Sequence, residues 1–251
     1  MRIRKRKLLV SVFAGSALGL ASMGGPAWAE VTSSVRSASA ERTAGRWQAS
    51  FDAFAQADRE SAPRSGGVLF VGSSSIRLWD GLAQAFASEP TIVQRGFGGS
   101  RLVDCANFVD RLVLPYRPRL IVVYAGDNDL AEGATPTEVL ASYRAFVDNV
   151  RAVLPQTRIA YLSIKPSPAR VALLNQAREA NRLIAEYAKQ ERNLDYIDIY
   201  SAMLDAQGQP RRDLFNADSL HLNAQGYKLW ASLIAAHLGS VPSRQTVAAA
   251  S

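Results

Sequence analysis

The chain of 251 residues carries 29 Lys or Arg, 22 Asp or Glu, two histidines and one cysteine, for a formal charge of +7. With Cys105 alone no intrachain disulfide can form, and with His221 and His237 as the only histidines the composition argues against a zinc site of His and Cys ligands. Five of the basic residues lie within the first seven positions, so residues 30–251 hold 24 basic against 22 acidic residues and the high charge gives no support for binding to nucleic acid or to a membrane surface.

In chain order, Arg2, Arg4, Lys5, Arg6 and Lys7 precede an apolar run that ends at Ala27-Trp28-Ala29, the pattern of a secretory signal peptide cut after Ala29. Gly15, Gly19, Gly24, Gly25 and Pro26 interrupt that run and argue against a stable membrane anchor. No cysteine at its end accepts a lipid and no Arg-Arg pair occurs in it, so a Sec-type route to the periplasm or the medium is expected. Residues 30–44 are small and polar and read as a flexible segment, residues 45–240 as one domain, and residues 241–251 as a disordered tail.

Trp47, Phe51 and Phe54 form one helical stripe. From there the chain alternates. Strands are predicted at 68–72, 91–96, 119–126, 158–164 and 194–200, and helices at 77–87, 102–114, 135–155, 169–191 and 223–238. The helix at 135 opens with Thr135, Pro136 and Glu138, a capping box with proline at the first helical position. Strands alternating with helices of ten or more residues imply βαβ units, hence a three-layer α/β/α sandwich around a five-stranded parallel sheet of flavodoxin-like type. In such sheets chemistry collects beyond the carboxyl ends of the strands.

Four short stretches fall at those ends: Gly72-Ser73-Ser74-Ser75, "GFGGSR" at 96–101, "GDNDL" at 126–130, and "DSLHLN" at 218–223. A serine hydroxyl needs a base to act as a nucleophile at neutral pH. Of the two histidines, His237 lies on the last helix, where packing or capping explains it. His221 stands in a loop three residues after Asp218, a spacing at which a carboxylate can accept the imidazole N–H and fix its tautomer. Alone, that stretch equally fits a turn that caps the following helix. A glycine N–H of "GFGGS" and the Asn128 side chain offer donors to an oxyanion, although glycines and "DND" also form ordinary turns. Any of Ser73, Ser74 and Ser75 is available as the nucleophile on chemistry alone.

Taken together, the four stretches resemble the blocks of the SGNH hydrolase superfamily, the GDSL-type esterases and lipases, over nearly the whole chain after Ala29. Gly72-Ser73-Ser74-Ser75 matches the first block, Gly99 the glycine of the second, Gly126-Asp127-Asn128-Asp129 the third, and Asp218-Ser219-Leu220-His221 the last. The wording "VGSSSIRLW" and "YAGDNDL" looks like a secreted bacterial branch near the platelet-activating-factor acetylhydrolase-like members. The resemblance implies that Ser74 is the nucleophile, His221 the base oriented by Asp218, and that the Ser74 and Gly99 backbone N–H groups and the Asn128 amide hold the oxyanion. It implies a small-molecule, glycan or lipid ester as substrate, with no cofactor and no metal. One departure stands out: Ser73 occupies the place where the family usually has Asp.

Three other readings fit the sequence less well. An α/β-hydrolase elbow needs a Gly two positions after the nucleophile, and Ile76 stands there. "DNDLAEGATPTE" lacks the acidic and glycine positions of a calcium loop. A non-catalytic ligand-binding module on the same fold would leave the Asp218–His221 pair idle, and no Lys follows either glycine turn to hold a phosphate. Trp79, Phe97, Tyr124 and Leu130 are candidates to shape an acyl or alcohol pocket, with core packing as the ordinary alternative.

Overall fold

Five runs of aliphatic and aromatic residues supply the strands of the computed structural model, which describes residues 45–240. They are β1 (Val68–Gly72), β2 (Ile92–Gly96), β3 (Leu120–Tyr124), β4 (Arg158–Leu162) and β5 (Leu194–Ile197). All pair in parallel in the order β2-β1-β3-β4-β5, the doubly wound arrangement expected. Every residue of β1 and β3 is buried, as a strand covered by helices on both faces requires. The signal peptide, the segment 30–44 and the tail 241–251 lie outside the described residues.

The alternation of side chains along each strand divides the core. Val68 and Phe70 of β1, Val122 and Tyr124 of β3, and Leu162 of β4 pack with Trp79, Leu82, Phe86 and with Trp230 and Ile234 of the closing helix, α9 (Ala224–Ser240). On the opposite face lie helix α1 (residues 45–60), α4 (Leu102–Asn107), α7 (Pro136–Arg151) and α8 (Leu174–Gln190). Tyr161 of β4 packs there on Tyr143 of α7 at 4.9 Å between ring centroids. Thr135 and Glu138 form the expected capping box, each accepting from the other's backbone N–H.

Several elements are shorter than the sequence suggests, each for a local reason. The helix expected at 77–87 is two single turns, α2 (Ser74–Arg77) and α3 (Leu82–Ala85), broken at Gly81 with φ +73°. The helix expected at 102–114 divides into α4 and α5 (Val109–Leu112) at Phe108, whose ring is drawn onto Phe51 of α1 at 5.0 Å. The first turns of the helix expected at 169–191 are 3-10 in character, with Arg170 outside helical geometry at φ −122°, ψ 31°. β5 stops at Ile197 because the N–H groups of Ile199 and Tyr200 donate to Ser163 Oγ in place of a neighbouring strand. "DNDLA", for which an ordinary turn was the alternative to a functional role, is a helix, α6 (Asp127–Ala131).

Gly96, the last residue of β2, lies directly against the backbone of α2. A Cβ there would meet the Arg77 backbone nitrogen at 2.1 Å. Replacing Gly96 with Ala is expected to cost about 2–3 kcal/mol through forced displacement of α2, lowering the thermal midpoint by roughly 4–12 °C. The control, Gly239→Ala, fills open space on α9 and is expected to leave the midpoint unchanged or slightly raised. Calorimetry of the two variants checks the contrast.

Candidate active site

β1 ends and the chain turns at once into α2, placing Ser74 at the first helical position over the carboxyl edge of the sheet. Two bonds fix the turn. Ser73 N–H donates to the Tyr124 carbonyl at the end of β3 (3.0 Å), and Phe97 N–H donates to the Gly72 carbonyl (2.9 Å). The nucleophile candidate therefore sits where β1 separates β2 from β3, the point at which the strand order reverses. Tyr227 of α9 adds a third anchor, its hydroxyl donating to the Ser75 carbonyl at 3.0 Å.

Geometry separates the three serines. Ser73 and Ser75 are buried, and their hydroxyls meet no hydrogen-bond partner among the described residues. Ser74 Oγ lies 3.0 Å from His221 Nε2, and His221 Nδ1 lies 2.6 Å from Asp218 Oδ2. The local fold explains this pair. Asp218 Oδ1 accepts the backbone N–H groups of Leu220 and His221, both at 2.9 Å, closing a tight turn through Ser219 at φ +58°. The other carboxylate oxygen is left facing the imidazole, so Nδ1 carries the proton and Nε2 is free to accept from a serine hydroxyl. Those same backbone N–H bonds, then the imidazole, hold the Asp218 carboxyl down at about 2. Downstream, Asn223 Oδ1 accepts from Gln225 and Gly226 and so caps α9, fixing the loop against the helix start.

The remaining predicted positions gather around the same edge. Gly99 sits in the loop after β2 with φ +72°, a conformation that suits glycine. Asn128 is the second residue of α6, and its Nδ2 donates to the Ser100 carbonyl at 2.9 Å, tying the loop of Gly99 to the end of β3. Among the described residues no protein acceptor takes the backbone N–H of Ser74 or of Gly99. Asp129 secures the loop from below: both carboxylate oxygens accept the Leu102 N–H at 3.0 Å. Trp79, Phe97, Tyr124 and Leu130 are all buried and belong to the core. His237 stands apart from this edge and faces Asp195 of β5 at 3.3 Å. Among the described residues no cluster of His, Cys, Asp or Glu is placed to hold a metal ion.

One group of residues went unread in the sequence. Lys165 and Arg170 lie just beyond β4 and both engage Asp127, at 2.8 and 2.9 Å. Arg170 also donates to Asn128 Oδ1 at 2.8 Å, and Lys165 to the Tyr124 hydroxyl at 3.0 Å. Burial alone would push the Asp127 carboxyl up, but the two cations hold it below the usual range. The rule that chemistry follows each strand applies equally to "KPSPAR" (165–170), and it was the signal to follow.

Residues 65–229 match the GDSL-like lipase/acylhydrolase family. The chain belongs to this family. Among solved structures it is similar to a Streptococcus pneumonia protein named for platelet activating factor, with 22% identity and a TM-score of 0.69 over 77% of this chain and 93% of that one. It is also similar to a GDSL-like lipase from Bacteroides thetaiotaomicron (20% identity, TM-score 0.58, 68% and 87% covered) and to a family 3 carbohydrate esterase from Clostridium thermocellum (16%, 0.54, 66% and 92%). At these identities the likenesses establish the shared fold. No curated protein matches the sequence.

Burial raises the Asp129 carboxyl to about 6, so its ionised form is disfavoured in the folded state. In the unfolded chain the group ionises near 3.8, and the folded protein therefore retains a proton that the unfolded one has lost between those values. Stability contributed by Asp129 is full below about pH 4 and falls as pH rises toward 6. Asp129→Asn, which keeps an acceptor for Leu102, is expected to remove that decline. Denaturant titrations of both proteins at pH 4.5 and 7 check it; a constant difference between them contradicts this reading.

Proposed function

We propose that the protein is an exported serine esterase that hydrolyses carboxylic esters through an acyl-serine intermediate. The observation that carries the reading is the unbroken chain from Ser74 Oγ through His221 to Asp218. The imidazole takes the Ser74 proton as the oxygen attacks the ester carbonyl, and the resulting imidazolium is stabilised by an Asp218 that stays ionised. The Ser74 and Gly99 N–H groups and the second N–H of the Asn128 amide are the donors for the oxyanion. Collapse of the intermediate expels the alcohol with a proton from His221. Water, deprotonated by the same imidazole, then releases the acid and restores Ser74.

Beside α2 an open groove of about 670 Å³ is lined by Leu78, Trp79, Tyr227 and Lys228, with Ser74 and His221 outside its lining. Among the described residues no helix is long and apolar enough to cross a membrane. Export rests on the basic start, apolar run and Ala27-Trp28-Ala29 pattern, and places the reaction in the periplasm or the medium.

Initial rates on p-nitrophenyl esters of increasing acyl length test the reaction. Ser74→Ala is expected to abolish hydrolysis, whereas Ser73→Ala and Ser75→Ala, which remove buried hydroxyls without partners, keep it within a few fold. Hydrolysis that survives Ser74→Ala refutes the mechanism.

The pH profile gives a second test. Because Asp218 remains ionised to about pH 2, that carboxyl is expected to add no limb to kcat/KM down to pH 4. In Asp129→Asn, where the carboxyl raised to about 6 no longer titrates, a fall with the square of the proton concentration in that range contradicts the assignment.

A further inference from the structure

A side-chain amide can be turned end for end at almost no steric cost, which would present an oxygen where a donor is needed. Asn128 is held against that reversal from both sides. The Ser100 carbonyl accepts only and takes Nδ2 at 2.9 Å; the Arg170 guanidinium donates only and takes Oδ1 at 2.8 Å. One N–H of the amide remains for a further acceptor. Arg170 is itself fixed. Its second arm pairs with Asp127 at 2.9 Å, Asp127 is paired in turn with the buried Lys165, and the preceding residue, Ala169, donates its N–H to the Ser219 carbonyl at 3.0 Å. That last bond joins the Arg170 segment to the turn that presents Asp218 and His221.

The charge count matters as much as the geometry. Arg170 brings a second positive charge to Asp127, beside the amide, with its side chain only 20% exposed. A cation on Oδ1 withdraws electron density through the amide and strengthens the remaining N–H as a donor.

We propose that Arg170 is the positioning residue of the oxyanion site, clamping the Asn128 amide in the orientation that offers an N–H to a tetrahedral oxygen. The proposal rests on the acyl-serine reading above for its catalytic consequence, but the clamp itself is open to measurement without turnover. Arg170→Lys keeps a charge opposite Asp127 and lacks the planar fork that also reaches Asn128. Arg170→Gln serves as a second variant should the first not fold.

In proton–nitrogen correlation spectra of the full exported chain, the Asn128 side-chain pair is identified by its absence in Asn128→Ala. It is expected to move toward the position of a free amide in Arg170→Lys, while the thermal midpoint changes little. On p-nitrophenyl acetate, Asn128→Ala is expected to lower kcat by roughly 10²–10³. Arg170→Lys should lower it by about tenfold or more at similar KM, and should add less than about threefold in the Asn128→Ala background, because its effect runs through that amide. An unmoved amide pair overturns the proposal, and so do losses that multiply in the double variant. Wild-type hydrolysis that survives Ser74→Ala would instead refute the mechanism, and the amide spectrum would still decide the clamp.

Discussion

The 3.0 Å contact between Ser74 Oγ and His221 Nε2 joins residues 147 positions apart, and it exists only while β1 and the loop before α9 meet at one edge of the sheet. Neither partner is held by the contact itself. Ser74 is placed by backbone bonds from its neighbours to β2 and β3, and His221 by a turn closed on Asp218 and by the capped start of α9. The Tyr227 hydroxyl on the Ser75 carbonyl, with Tyr227 stacked on Trp79 at 5.0 Å, fixes the distance between the two halves. A pair preorganised in this way would need little rearrangement in the proposed reaction, and preorganisation is where much of the catalytic advantage of such sites lies.

The same edge carries a buried ion pair. Asp127 and Lys165 are almost wholly buried, and taking such ions out of water is costly even when they are paired. An apolar pair of similar volume would hold the fold as well or better. The position of the cluster, with Asp127 next to Asn128 and Arg170 bonded to both, accounts for it better than stability does. Asp129 follows the same logic on the other side of Asn128, spending its carboxylate on one backbone N–H of that loop at the cost of a raised pKa.

Much of this was legible in the sequence, because strand runs, capping residues and the four blocks are local signals. The five strands, the parallel order and the capping box of Thr135 and Glu138 follow from periodicity and turn chemistry alone. What escaped was decided by tertiary contacts. Phe108 breaks a helix because α1 offers it an aromatic surface, and β5 ends early because Ser163, just beyond β4, captures the N–H groups of Ile199 and Tyr200 that follow it. At the site, Ser74 could be told from Ser73 and Ser75 only by family resemblance, since all three are equally reactive on paper. The distinction is one of direction, and backbone bonds to β3 and β2 set it. Arg170 was missed although its place just beyond β4 pointed to it, because its partner, Asn128, lies 42 positions earlier.

The central claim is that one hydroxyl, that of Ser74, is activated for attack. It is tested most directly by exposing the protein to a fluorophosphonate, which phosphonylates an activated serine, and locating the adduct by peptide mass spectrometry. The account predicts a single adduct on Ser74, formed quickly at neutral pH and lost in His221→Ala. An adduct on Ser73 or Ser75, or labelling of Ser74 that proceeds as fast without His221, would contradict it.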